Sequence, residues 1–283
     1  MENFITLSKK IALLCTVLLL YSCNQDEFTN VEVLSNSTYS LTGKTTTSKL
    51  NVFKGPEVTV GFGKARSWIS LNSEGFPMEI GIEITQKALL NPERDKKMAP
   101  EPGSIIILPL HLKAKQATPF NHIGLNWNPN GHEPDHVFDV PHYDIHFYMI
   151  SIEEQLAIPN WSAETDALFN NYPAAEFLPA DYFTPPGADT AEGQMGKHWL
   201  PVNLPAFLPF SKIMIYGTYD GKVAFVEPMI TEALLLSGEA TSENYSQPMS
   251  FQKKGNYPTK YNIYHDPITG NTYITLSDFV ARN

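Results

Sequence analysis

Five of the eight histidines lie within 25 residues of one another: His122, His132, His136, His142 and His146. The densest stretch reads Pro-His-Tyr-Asp-Ile-His-Phe-Tyr-Met-Ile at 141–150. Side chains alternate faces along a strand, so His142, Asp144, His146 and Tyr148 share one face. Tyr143, Ile145, Phe147 and Met149 share the other, which reads as core. Imidazole and carboxylate side by side, with no thiolate, suit Zn, Mn, Fe or Ni. Such a row reads either as a solvated polar face or as the wall of a lined pocket.

Geometry limits what the row can hold. Residues i and i+2 sit roughly 6.6 Å apart along a strand, and i and i+4 roughly 13 Å. His142 and His146 are therefore too distant to share one ion unless the strand bends or bulges. Asp144 can pair with either. One arrangement has one histidine and Asp144 binding an ion. The other has one histidine binding it while Asp144 holds a histidine in place. Both need ligands from elsewhere: His198 in Met-Gly-Lys-His-Trp at 195–199, Glu227 in Lys-Val-Ala-Phe-Val-Glu-Pro-Met at 222–229, and His132 in the turn before the strand. Glu227 ends a row shared with Val223 and Phe225, and a buried carboxylate there needs a partner. The candidate metal ligands are thus His132, His142, Asp144, His146, His198 and Glu227. Glu227 or Asp144 would be the general base if not itself a ligand.

His-Glu-Pro-Asp-His at 132–136 has the letters of a zinc-protease motif, but that chemistry needs a helix to align both histidines. Pro134 and the Asn-Pro-Asn-Gly turn at 128–131 exclude one. His111, His122, His136 and His265 read as surface or hydrogen-bonded residues.

The elements that must position these side chains are mainly strands. Alternation predicts strands over 57–62 and 78–84. A nearly continuous apolar run at 104–112 reads as a strand buried on both faces. Further strands are expected over 119–127 and 141–150. A hairpin is expected from 212–216 and 222–227 around Asp220-Gly221, and a last one from 260–265 and 272–276. Short helices are expected after Ser151, where Glu154 completes a capping box, over 163–170, and over 231–236 with Gly238 as its C-cap. Residues 172–193, rich in Pro, Ala and Asp, read as a long surface loop. Many short strands with Pro and Gly turns predict one mainly β domain over 50–283. It would be sandwich-like or jelly-roll-like, with a few short peripheral helices.

The N-terminus reads as an export and anchoring segment. Lys9 and Lys10 precede an apolar run at 11–20, which is too short to span a bilayer and suited to a signal peptide over 1–22. Leu-Tyr-Ser-Cys at 20–23 resembles the lipobox of bacterial lipoproteins, with Cys23 lipidated and Tyr21 bulkier than that pattern usually carries. Asp26-Glu27 resembles the surface-export tag of Bacteroidota lipoproteins. Residues 23–49, rich in Ser, Thr and Asn, then form a tether. The expected location is the cell envelope, lipid-anchored at the outer membrane and exposed at the surface. Both cysteines, Cys15 and Cys23, fall in this segment, so the domain has none for a disulfide. The net charge is −10 for the chain, and −11 once Glu2, Lys9 and Lys10 go with the signal peptide. That excludes a basic nucleic-acid surface and suits cation binding.

Several of these motifs, in order and spacing, resemble one family of uncharacterised bacterial secreted proteins and lipoproteins with a Thermus representative. They are Trp-Asn-Pro-Asn-Gly-His-Glu-Pro at 127–134, Pro-His-Tyr-Asp-Ile-His-Phe-Tyr at 141–148, Met-Gly-Lys-His-Trp at 195–199, Tyr-Gly-Thr-Tyr-Asp-Gly-Lys-Val at 216–223 and Glu-Pro-Met-Ile-Thr at 227–231. The resemblance covers about 54–236 and implies no particular reaction. It favours His132, His142, Asp144, His146, His198 and Glu227 over the other histidines. It also sets the segment after about 242 apart as a local addition. Two functions stay open. One is a metal-binding envelope domain, hydrolytic or redox. The other is a non-catalytic surface module that binds glycan or protein, or assembles with copies of itself through its aromatic side chains.

Overall fold

The computed structural model describes residues 50–89, 104–134 and 136–282. The expected signal peptide over 1–22, Cys23 and the expected tether over 23–49 lie outside them. In chain order the strands are β1 (Asn51–Lys54), β2 (Val58–Val60), β3 (Gly63–Leu71), β4 (Pro77–Ile84), β5 (Ile105–Pro109), β6 (His122–Asn128), β7 (His142–Tyr148), β8 (Tyr182–Phe183) and β9 (Ala191–Glu192). They continue with β10 (Gly196–Pro201), β11 (Lys212–Tyr219), β12 (Lys222–Thr231), β13 (Thr241–Asn244), β14 (Gly255–Tyr257), β15 (Lys260–His265), β16 (Thr272–Ser277) and β17 (Val280–Arg282).

Two antiparallel sheets pack face to face. One runs β1-β3-β4-β16-β15-β13, with β2 beside β3. The other runs β5-β6-β7-β12-β11-β10-β8, with β9 beside β10. The fold is mainly β, a sandwich, and neither sheet closes into a barrel. Its interior is one apolar cluster fed by both sheets. Ile69, Ile80, Ile82, Ile263, Ile274 and Leu276 come from the first; Ile123, Leu125, Ile145, Phe147, Val226 and Ile230 come from the second. Each fully buried aliphatic side chain contributes about 1.5–3 kcal/mol.

Local chemistry explains most of the punctuation. Asp220 and Gly221 both take positive φ, 44° and 75°, in a two-residue turn between paired Tyr219 and Lys222. That backbone matches the twist of the flanking strands. Ser151 Oγ accepts from the Glu154 amide at 3.1 Å and Glu154 returns the bond at 2.8 Å, capping the helix Ile152–Leu156. Thr231 caps Glu232–Ser237, and Gly238 ends that helix in the left-handed region. The helix expected over 163–170 is the shorter Asp166–Phe169.

Several expectations need correction. The apolar run at 104–112 is an edge strand, half-buried, that ends at Pro109; Leu112–Ala117 is a helix capped by His111. β3 and β10 carry pattern that the sequence reading passed over. The supposed loop at 172–193 supplies β8 and β9 to the second sheet. The C-terminal hairpin is no peripheral addition. β16 pairs with β4 along Thr272–Ser277, in the middle of the first sheet.

That placement is testable. Ile274→Ala should cost about 2–5 kcal/mol of unfolding free energy by urea titration. A change near zero would return the hairpin to the periphery.

Candidate metal centre

β7 is buried along its whole length, on both faces. Tyr143, Ile145 and Phe147 face the sandwich interior. His142, Asp144, His146 and Tyr148 face outward from the sandwich, yet the chain closes over them, so this face is a lined pocket and not a solvated one. Two apolar clusters flank it: Tyr148, Ile150, Ile158, Phe169 and Phe225 on one side, Phe138, Phe210, Ile213, Ile215 and Met229 on the other.

Strand register brings the partners in. Val226 pairs with Phe147 and Met229 with Asp144, which sets Glu227 opposite His146. β12 carries one extra residue, Ala224, where the register shifts beside Gly217 and Thr218. This bulge breaks the expected row: Phe225 and Glu227 share the pocket face, while Val223 packs toward the sandwich interior. His198 pairs with Gly217, one strand further out. A Cβ on Gly217 would lie 2.0 Å from the Phe225 ring. With no side chain there, the ring fits and His198 reaches over β11 to Glu227. His132 enters from above, on a loop whose His132 main-chain N–H donates a hydrogen bond to the Phe138 carbonyl at 3.1 Å.

The six predicted residues converge as two groups of three, His132–His142–Asp144 and His146–His198–Glu227. Within each group the ligand atoms lie within 4.8 Å of one another. Asp144 Oδ2 is 3.5 Å from His132 Nε2, and its Oδ1 is 3.2 Å from His142 Nε2. Glu227 Oε2 is 3.3 Å from His146 Nε2 and 3.7 Å from His198 Nε2. His142 and His146 fall in different groups, as their strand spacing requires. His136 has a side chain 94% exposed beside Asp139, so the protease-like pentapeptide splits. His122 is buried: its Nε2 donates to Gln155 Oε1 at 2.7 Å and its ring stacks on Tyr148.

The hydrogen bonds define the tautomers. A main-chain carbonyl can only accept, so a ring nitrogen facing one must carry the proton. His132 Nδ1 donates to the Glu133 carbonyl at 2.7 Å, His142 Nδ1 to Val140 at 2.7 Å, and His198 Nδ1 to Thr190 at 2.9 Å. In the neutral ring, Nε2 is then a bare lone pair, and in all three it faces a carboxylate oxygen. Two acceptors in contact repel unless a proton or a cation lies between them. Neither His146 nitrogen has a hydrogen-bond partner, and Asp144 Oδ1 and Glu227 Oε2 are buried without one. Each such orphan costs about 1–3 kcal/mol, more if charged.

Electrostatics divides the groups. Burial pushes the His146 imidazole down to about 3 and that of His198 down to about 4. Burial, with the Asp144 charge added, pushes the Glu227 carboxyl well above its usual range. At Asp144 burial acts upward, but the His132 and His142 hydrogen bonds and charges outweigh it and hold the carboxyl low. At His132 burial acts downward and is outweighed by the Asp144 bond and charge, so its pKa is raised.

The residues that hold these candidate ligands in place carry little signal in the sequence. Asn128, read only as turn chemistry, donates to Asp144 Oδ2 at 2.6 Å. Lys197 is buried, and its Nζ donates to the Gly187 and Asp189 carbonyls, both at 2.6 Å. That clamp fixes the segment whose Thr190 carbonyl orients His198. A lysine beside a histidine in an alternating strand is the one signal that was available.

No protein-family model, curated protein or solved structure matches the chain.

The pKa directions give the metal-free domain a signed pH response. His122 is also held down, to about 4, by burial. His122, His146 and His198, with His265 also lowered, leave the unfolded chain binding more protons below about pH 6.5, whereas raised Glu227, Glu79, Glu192 and His132 oppose. Stability should therefore fall as pH drops from about 6.5 toward 4.5. The check is the urea midpoint in chelator at both pH values; an equal or higher midpoint at pH 4.5 would contradict the assigned protonation.

Proposed function

We propose that this protein is a lipid-anchored envelope protein whose domain binds a divalent transition metal through His132, His142, Asp144, His146, His198 and Glu227. One observation carries the reading. Three histidines spend their Nδ1–H on main-chain carbonyls and aim Nε2 at carboxylate oxygens. Metal-binding histidines are oriented in this way.

The donor set is imidazole and carboxylate, which suits Zn, Mn, Fe or Ni. Phe138 and Phe210 on one side, and Phe225 and Tyr148 on the other, pack directly on the histidine rings. Such walls exclude water and strengthen the electrostatics inside. A metal held there would supply Lewis acidity or bind a water or other oxygen donor. A non-catalytic module would be better supported by histidines scattered over several faces, and these converge on one.

The anchor rests on the sequence: the short apolar run, the lipobox-like Leu-Tyr-Ser-Cys ending at Cys23, and Asp26-Glu27 behind it. No helix among the described residues is long and apolar enough to cross a membrane. The proposed location is the outer membrane, with the domain at the surface.

Metal content by mass spectrometry tests the site, on chain purified without a histidine tag beside a His142→Ala, His146→Ala double variant. Near-stoichiometric metal in the wild type and its loss in the variant are expected. At a free metal concentration of about 100 times Kd the wild type should also gain about 2.7 kcal/mol in stability. Wild-type chain that stays metal-free after incubation with zinc, manganese, iron and nickel salts would refute the assignment.

A further inference from the structure

We infer that the pocket holds two metal ions, one in each group, and that the His132–His142–Asp144 ion is the exchangeable one, open to an outside oxygen donor. This rests on the metal-binding reading above and adds the number and inequality of the ions.

The count follows from geometry. Asp144 and His146 are two residues apart on β7, roughly 6.6 Å along a strand. Their cross-strand partners are Met229 and Glu227, so each group has its own carboxylate on its own level of the sheet. Each carboxylate pairs with two imidazoles, one on β7 and one from a neighbouring segment. Two neutral imidazoles and one carboxylate form a three-ligand set that can hold an ion and leave positions open. A single ion at the first group would leave His146 and Glu227 Oε2 buried and unpartnered; a single ion at the second would leave Asp144 Oδ1 so. Two ions give Asp144 Oδ1, Glu227 Oε2 and one His146 nitrogen a partner.

The inequality follows from burial. His146 and Glu227 side chains are 0% and 2% exposed, and His198 is 13% exposed. The ring of His132 is 42% exposed, although His142 and Asp144 beneath it are buried. Solvent therefore reaches the first group along His132, while the second is walled by Phe225 and Tyr148. His132 is also the one ligand outside the sheet, on a loop attached through its bridge to Phe138. An ion there loses its ligand with a small loop movement; an ion at the second group is released only by opening the sheet-bound set.

The experiment is a cobalt(II) titration of full-length chain followed by visible absorption and by metal analysis. Wild type, His132→Ala and His198→Ala are compared, with far-ultraviolet circular dichroism to confirm folding. Two equivalents in the wild type and one in each single variant are expected. Addition of EDTA to the two-cobalt protein should remove one equivalent at least tenfold faster than the other, and this fast phase should be missing in His132→Ala. Saturation at one equivalent in the wild type would overturn the two-ion inference and leave the metal-binding reading standing. A fast phase that persists in His132→Ala would overturn the assignment of the open ion. Should His132→Ala fail to fold, His132→Gln, which keeps a polar side chain at that place, serves in its stead. No cobalt uptake by folded wild type would overturn both readings.

Discussion

Everything in the pocket depends on where three ring protons go. Val140, Glu133 and Thr190 each present a carbonyl to the Nδ1 of a histidine, and this fixes which nitrogen is left bare. With Nε2 unprotonated, Asp144 and Glu227 each face lone pairs across 3.2–3.7 Å. The protein alone resolves this in two ways. At Asp144 the raised pKa of His132 lets a shared proton serve; around Glu227, burial keeps the imidazoles neutral and moves the proton onto the carboxyl. A divalent ion, if bound as proposed, would replace both compromises with one interaction and release protons as it does so.

The sandwich supplies the rigidity this requires. β7 is an interior strand of the second sheet, between β6 and β12, with its inner face packed on the other sheet. Four of the six candidate ligands, His142, Asp144, His146 and Glu227, therefore sit on backbone that ladder bonds and core packing hold in register. Sites on strands are more precise than sites on loops. The other two trade precision for reach. His198 lies three strands from β7 and depends on the bare Gly217 and on the Lys197 clamp. His132 depends on a loop. The extra residue Ala224 lets Phe225 and Glu227 face the pocket while the hairpin end turns Val223 inward.

The sequence displayed the site in part. The alternation at 141–150 placed His142, Asp144 and His146 on one face, because strand period is a local property. The identity of their partners rested on motif composition and family resemblance, and all six residues do converge. The division into two groups was not legible, since it depends on the β7–β12 register and on a reach across β11. The covering of the polar face was not legible either, because segments distant in sequence supply the lid. The same holds for the fold. The Asp220-Gly221 turn and the Ser151 and Gly238 caps are local and were readable. The pairing of β16 with β4 joins residues almost two hundred positions apart, and no local pattern encodes it.

The central claim, that bare Nε2 atoms face the carboxylates and await a cation, is tested most directly by long-range proton–nitrogen NMR of the histidine rings, before and after zinc. The account predicts that Nδ1 of His132, His142 and His198 stays protonated throughout. On adding zinc, their Nε2 atoms and one nitrogen of His146 should shift to metal-bound values. Rings that remain unchanged by zinc, or His146 and His198 rings that carry protons on both nitrogens as imidazolium partners of Glu227, would contradict it.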